Sequence, residues 1–349
     1  MKRHTLLGMA VLSACLLFFV GCGGGGGATI TPSVNTPIPT INNQTLSGTI
    51  TNVLSGEVVP NAMLTINGQQ IKAGDDGKYS CTPSSTSGTI VVTGGAVDRT
   101  VPYDLSLSST KNISILPTGF DVANYWAYQW PGTPQEISLW AERPRGFVIC
   151  TKTWESGTQI SDEVINNLKQ IIATHINPLH PEFADMTVET FDGNPADYPG
   201  IIDSSNSTSA IGLLGDDRIF VSFADNMVNA NGMTQCVING NQILGGGVVL
   251  LNREDILSTY LQYVFLHEAG HALFNFYHPF QNLASATASI MNYDHTVMAF
   301  TDFDKSVINA MCRRCAGTYY PDNDPSGTGG FSSKEEITLG EIHADNFTF

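Results

Sequence analysis

The segment His267-Glu268-Ala269-Gly270-His271 contains the residue types of a catalytic metal site in a suitable spacing. Residues four apart lie on one face of a helix, so His267 and His271 can direct ring nitrogens at the same ion. Imidazole binds Zn²⁺ at about 2.0–2.1 Å, and a catalytic site takes three protein ligands and leaves one position for water. Glu268 follows the first histidine, where its carboxylate can take a proton from that zinc-bound water. The spacing therefore predicts one catalytic Zn²⁺ with Glu268 as general base.

The surrounding sequence indicates how these side chains are held in place. The preceding stretch, residues 256–266, is largely apolar and contains neither proline nor glycine, which predicts a buried helix that continues into the motif. A third histidine, His278, follows closely, and the segment Ser289-Ile290-Met291-Asn292-Tyr293 comes after it. The five-residue pattern alone also occurs in unrelated amphipathic helices that carry two exposed histidines.

HEAGHALFNFYH followed by SIMNY resembles the metzincin metalloproteases, whose pattern is H-E-x-x-H-x-x-G-x-x-H and then a Met-turn. The resemblance implies that His267, His271 and His278 hold the zinc and that Met291 forms an apolar floor beneath it. It also implies a role for Tyr293, because in the astacin-like and serralysin-like branches a tyrosine two residues after that methionine reaches the zinc or the oxyanion.

The match departs from the family pattern at the end of the helix. The family glycine would fall at Phe274 and the third histidine at Tyr277, whereas the histidine here comes one residue later. That glycine ends the helix in a left-handed conformation, for which Asn is the usual substitute. We therefore predict a helix one residue longer, ended by Asn275, with His278 as third ligand. Met298 is a rival centre for the Met-turn, but no tyrosine follows it at the family offset.

Length and composition fit a folded, two-domain chain. The protein has 349 residues, of which 42% are hydrophobic and 14% charged. We expect an α+β fold with a zincin or metzincin-like catalytic domain, a twisted and mostly parallel sheet plus the motif helix, at residues 140–316. A C-terminal tail follows at 317–349. Predicted elements are strands at 146–150, 187–191, 218–223 and 247–252, a helix at 161–176, and a last helix opened by a capping box at 301–304.

Residues 45–116 have a different character. Short alternating strands separated by turn residues predict a small all-β sandwich, and the stretch SGTITNVLSGEVVPNAMLTINGQQIKAGDDGKYSC resembles carboxypeptidase-regulatory-like modules. We interpret this module as a spacer, with a weak adhesion surface as the alternative. Residues 117–139 form an aromatic connector whose Trp126 and Trp130 we expect to pack against a domain rather than to bind sugar or peptide.

The first 44 residues predict export. Lys2 and Arg3 precede an apolar run at 6–20, which is short for a membrane span, and the run ends at Cys22 in a sequence that resembles a bacterial lipobox. We expect a lipoprotein signal peptide at 1–21, lipidation of Cys22, and a Gly/Thr/Pro-rich tether at 22–44. The protein would then be anchored in the bacterial cell envelope, at the outer membrane or cell surface; plain secretion and an uncleaved anchor are the alternatives.

Charge and composition limit the partners. A formal net charge of −16 argues against nucleic acid and against anionic membrane surfaces, which leaves the lipid anchor as the membrane contact. The Asp-rich stretch 192–203 could hold a structural Ca²⁺, although it lacks the regular spacing of a known calcium loop. Besides Cys15 and Cys22 there are five cysteines, so at least one is unpaired: Cys81, Cys150, Cys236, Cys312 and Cys315. A local disulfide or helix-end packing explains the last two.

These observations predict an exported zinc-dependent endopeptidase that acts as a monomer on protein or peptide substrates. The opposing hypothesis is a non-catalytic surface adhesion lipoprotein that keeps the zinc fold for binding. An intact Glu268 favours the enzyme, because binding alone does not need a base.

Overall fold

An all-β module forms the N-terminal part of the fold in the computed structural model, which describes residues 43–129, 135–199, 201–202, 212–213, 217–227, 230–278, 288–293, 296–326 and 338–345. Its strands are β1 (Leu46–Asn52), β2 (Met63–Ile66), β3 (Gln69–Lys72), β4 (Lys78–Cys81), β5 (Ser87–Thr93), β6 (Arg99–Asp104) and β7 (Ile113–Ile115). They form one sheet in the order β4-β1-β7 and a second in the order β3-β2-β5-β6. Alternate residues of both sheets bury apolar side chains in a shared core, as the period-2 pattern predicts.

The remaining described residues form a mixed α and β arrangement. The helices are α1 (Val122–Ala127), α2 (Asp162–Ile171), α3 (Leu261–Phe274) and α4 (Asp302–Cys312). The strands are β8 (Leu139–Trp140), β9 (Gly146–Thr153), β10 (Thr187–Phe191), β11 (Ile201–Ile202), β12 (Gly212–Leu213), β13 (Arg218–Ala224), β14 (Gly232–Asn239), β15 (Gln242–Leu251) and β16 (Thr338–Asp345). The coarse α+β class predicted from the sequence is therefore confirmed.

One seven-stranded sheet supports the candidate site. Its order is β10-β9-β13-β15-β14-β16, with β8 beside β15. The pairs from β10 to β15 and the β8–β15 pair are parallel, whereas β14 runs antiparallel to both β15 and β16. Strands β9 and β13 are almost continuously buried, as expected for parallel strands covered on both faces. Helix α3 packs on β14 and β15, and nearly all of its residues are buried.

Several local predictions are confirmed. Ser161 caps α2 through its hydroxyl, and a π-helical turn at 172–176 prolongs that helix to the predicted end. Thr301 and Asp304 form the predicted capping box of α4. Trp126 in the connector is buried, and its indole N–H donates to the carbonyl of Pro321 at 2.9 Å; Trp130 lies outside the described residues. Eight of the observed strands were not predicted: β3, β4, β6, β8, β11, β12, β14 and β16.

The described parts of the C-terminal tail predicted from residue 317 contact the rest of the fold. Asp322 is buried and pairs with Arg99 of β6 at 2.9 Å and with Arg314 at 2.8 Å. Asp324 pairs with the same Arg99 at 2.6 Å. Further along, β16 is part of the large sheet. The described segments therefore belong to the fold, because buried ion pairs and backbone pairing hold them.

The described residues belong to one compact unit that spans residues 42–349. It contains two main hydrophobic cores, one within the all-β module and a larger one around α3, and Val53 and Leu116 of the first module join the larger core. Among the described residues, we find no helix with the length and apolarity needed to cross a membrane.

Candidate functional site

Helix α3 brings the first two candidate ligands together. His267 and His271 are one helical turn apart and fully buried, and their Nε2 atoms are 3.3 Å apart. The other nitrogen of each ring contacts a backbone carbonyl. Nδ1 of His267 lies 2.7 Å from the carbonyl oxygen of Ile290, and Nδ1 of His271 lies 2.5 Å from that of Phe276. A carbonyl oxygen only accepts, so each Nδ1 carries a proton, and in the neutral ring Nε2 then presents a lone pair.

The turn after α3 brings in the third candidate ligand. Asn275 ends the helix with φ 50° and ψ 38°, the left-handed conformation, and its N–H donates to the carbonyl of His271 at 2.8 Å. The chain then reverses, and the N–H of Tyr277 donates to the carbonyl of Tyr128. His278 consequently places its Nε2 at 3.0 Å from Nε2 of His267 and 2.9 Å from Nε2 of His271.

The donor set of these three histidines suits a zinc ion. A tetrahedral ion with ligands at about 2.0–2.1 Å separates them by about 3.4 Å, close to the observed 2.9–3.3 Å between the nitrogens. Three ring nitrogens that converge in a buried position form a donor set for one cation, and the carbonyl partners of His267 and His271 are the outer contacts that metal-binding histidines normally have.

Glu268, the candidate base, lies against strand β14. The hydroxyl of Thr234 is 2.6 Å from Glu268 Oε2 and 3.0 Å from the Glu268 carbonyl oxygen. A Cβ at Gly232 would lie 2.4 Å from Glu268 Oε1, so any other residue there would force the carboxylate to move. Burial raises the pKa of Cys236 to about 12, and this thiol donates to the carbonyl of His271 at 3.4 Å. Alternate residues of β14 thus face the motif helix.

Met291 packs against the backbone of the motif helix. It is buried, and a Cβ at Gly270 would lie only 2.4 Å from its Sδ, so a glycine in the middle of the helix allows this close approach. Met298, the rival centre, is 38% exposed. Tyr293 is 45% exposed, and its hydroxyl lies 3.3 Å from Nδ1 of His278, the ring nitrogen that points away from the other two histidines.

Asp304 organises the segment behind the histidines, and it is a residue that the sequence reasoning placed only in a helix cap. Its buried carboxylate accepts from the hydroxyls of Tyr128, at 2.5 Å, and Ser289, at 2.7 Å, and from the N–H of Ile290, at 3.1 Å. Burial and the neighbouring Asp304 raise the pKa of Tyr128 above its ordinary value, so the phenol remains a donor. The carbonyl of the same residue accepts from Nδ1 of His267, so Asp304 and His267 both bind the backbone of Ile290.

The other predicted sites lie partly outside the described residues: Cys22 and part of the stretch 192–203 are not among them. Asp192 forms an ion pair with Lys152 at 3.1 Å. The five described cysteines are all free thiols, so no disulfide joins Cys312 and Cys315.

A second set of ligand-type side chains does occur among the described residues, at His180, Glu182 and Cys312. The backbone N–H of Glu182 donates to Nδ1 of His180 at 3.3 Å, which places the proton of a neutral His180 on Nε2. The sequence reasoning did not group these three residues.

Comparison of the chain with protein-family models, with curated proteins and with solved structures finds no match. Functional inference therefore rests on the geometry of the site.

Proposed function

We propose that this protein is a zinc-dependent endopeptidase of the metzincin type, with His267, His271 and His278 as the residues that hold the ion. The observation that carries the proposal is the convergence of three ring nitrogens. The Nε2 atoms of His267, His271 and His278 lie within 3.3 Å of one another inside the protein, and the first two rings are each fixed by a carbonyl at Nδ1. Three imidazole nitrogens gathered in this way are a ligand set that a catalytic zinc ion takes.

The chemistry follows from the neighbouring side chains. Zinc, when bound, polarises a peptide carbonyl and makes water easier to deprotonate. Glu268 takes a proton from the attacking water, the water oxygen bonds to the carbonyl carbon, the C–N bond breaks, and Glu268 passes the proton to the leaving amine. Thr234 holds the carboxylate of Glu268 in one orientation through its 2.6 Å hydrogen bond. Tyr293, next to His278, is the candidate for stabilising the developing oxyanion.

The arrangement of the sheet supports the finer fold assignment that we propose, a zincin-like catalytic domain. A mostly parallel sheet lies beside a buried helix that carries the motif, and a turn with a buried methionine follows that helix. The buried base favours an enzyme over a binding module, because a protein that only binds gains nothing from a desolvated carboxylate next to its metal.

Metal removal tests the proposal. The zinc-loaded protein is expected to digest casein, to lose that activity after dialysis against a chelator, and to regain it with one equivalent of Zn²⁺. Casein digestion that survives complete metal removal would contradict the proposal, and so would a protein that binds one Zn²⁺ yet cleaves neither casein nor a library of unstructured peptides.

We also propose that the enzyme is a lipid-anchored protein of a bacterial envelope that cleaves exposed protein or peptide segments as a monomer. The FVGC sequence that ends at Cys22 supports the anchor. Cys22→Ser is expected to move the protein from the membrane fraction to the soluble fraction of fractionated cells. Unchanged partitioning of the correctly processed variant would point to an uncleaved signal anchor.

A further inference from the structure

Strand β14 is the part of the sheet that lies beside the proposed catalytic base. Thr234 holds the Glu268 carboxylate at 2.6 Å, and a Cβ at Gly232 would lie only 2.4 Å from Glu268 Oε1. One edge of β14 is paired with β15. The other edge carries backbone N–H and C=O groups past the base, and an extended peptide can add to such an edge through main-chain hydrogen bonds.

The chain's own C-terminal strand occupies that edge. β16 pairs antiparallel with β14, and Asp345, Ala344, His343 and Ile342 stand opposite Gly232, Met233, Thr234 and Gln235. The backbone of His343 therefore takes the position next to Thr234, the residue that contacts the base. A peptide substrate that approaches Glu268 along this edge meets a strand already in place.

The sequence of β16 suits a strand that can leave. Two residues lie between Leu339 and Ile342, while one lies between their partners Val237 and Gln235, so a bulge on β16 near Gly340 interrupts the ladder. Four of its eight residues are of types depleted in strands: Gly340, Glu341, Ala344 and Asp345. A permanent edge strand would gain more from β-branched and aromatic residues.

We propose that β16 is an internal, substrate-like strand that suppresses the protease until it is displaced. This inference rests on the proposed function, because it assumes that peptides are cleaved beside Glu268. A strand on the same chain competes at an effective concentration of about a millimolar. It therefore suppresses cleavage of substrates that bind the same edge no more tightly than β16 does.

The test releases the strand after folding. A recognition site for a sequence-specific protease is inserted after residue 330 of the full chain, and the zinc-loaded protein is cut and diluted. Casein turnover is expected to rise at least about tenfold on cutting, and a synthetic peptide of residues 338–349 is expected to reverse the rise, whereas a scrambled peptide does not. Unchanged or lower turnover of a cut protein that has released its fragment and kept its circular dichroism overturns the proposal.

Two further measurements separate this inference from the proposed function. In a cut Glu268→Gln protein, the labelled 338–349 peptide is expected to bind, and in the uncut protein it is not. If the peptide binds but no protein that retains Glu268 cleaves casein, the result supports a displaceable strand and contradicts the proposed protease function. In the intact chain, amides of β14 that pair with β16 are expected to exchange with deuterium faster than those of β13, through local opening. If the amides of β14 and β13 exchange equally slowly, β16 is permanently paired and the inference is wrong. This measurement uses the intact chain, so it remains valid even if the cut protein aggregates.

Discussion

Within the described residues, two regions place three ligand-type side chains within reach of one ion, and only one of them has the organisation of a metal centre. His267, His271 and His278 are buried almost completely, and the rings of the first two are fixed by carbonyl oxygens. In the other group, the side chain of Glu182 is 50% exposed, and Nδ1 of His180 already accepts a backbone N–H.

The difference lies in where the protons are. In the group around α3, each Nδ1 that donates to a carbonyl leaves a lone pair on Nε2 for a metal. In the group around Cys312, burial lowers the pKa of His180, so this ring is neutral at pH 7 with its proton on Nε2. Burial also raises the pKa of the Cys312 thiol to about 12. A metal there would have to displace a tightly held proton and immobilise an exposed carboxylate.

The largest expected effect comes from the two glutamates. Glu268→Gln is expected to lower casein turnover by about 10²–10⁴-fold while zinc content stays at one per chain, because it removes a base and no ligand. Glu182→Gln is the matched control and is expected to leave both quantities unchanged. Turnover and bound zinc are measured on the same purified samples. Parental turnover in Glu268→Gln would show that another group acts as base.

Zinc affinity compares the two sets of histidines directly. His278→Ala is expected to weaken zinc binding more than about 100-fold, since the loss of an outer hydrogen-bond partner already costs about 10–100-fold. His180→Ala is expected to leave the affinity within twofold. Competition with a chromogenic chelator at pH 7.5 gives both values. If both substitutions weaken zinc binding equally, His278 is not the third ligand. The protein would then be assigned only to the zincins, without a branch.

The smallest effect concerns the turn that brings His278 back to the helix. Asn275→Val is expected to lower the free energy of unfolding by about 1–2 kcal/mol and to weaken zinc binding, because a β-branched residue disfavours positive φ. Asn275→Gly is expected to be tolerated.

Asn67 supplies the control for this turn, because it has φ 47° in the hairpin between β2 and β3, within the all-β module. Asn67→Val is therefore expected to destabilise the protein by a similar amount without a change in zinc affinity. Urea unfolding and chelator competition are measured for all three variants. Equal zinc affinity in Asn275→Val and Asn67→Val would show that the helix end does not position His278.

The end of helix α3 shows which features can be predicted from the sequence. A left-handed Asn275 followed by a histidine three residues later could be predicted, because helix termination depends on one residue and its immediate neighbours. The capping box at Thr301 and Asp304 was predictable for the same reason. The second role of Asp304, as acceptor for Tyr128 and Ser289, was not, because those donors are 176 and 15 residues away.

The sequence by itself determined which side chains share one face of α3, where that helix ends, and the coarse class of the fold. These properties follow from local periodicity and backbone preferences, which act over a few residues. Only the tertiary structure decided which strand lies against Glu268, so Thr234 and Gly232 could not be named in advance. It also decided that β16 takes the edge of β14, because strand neighbours are chosen by burial and pairing across the whole chain rather than by local pattern.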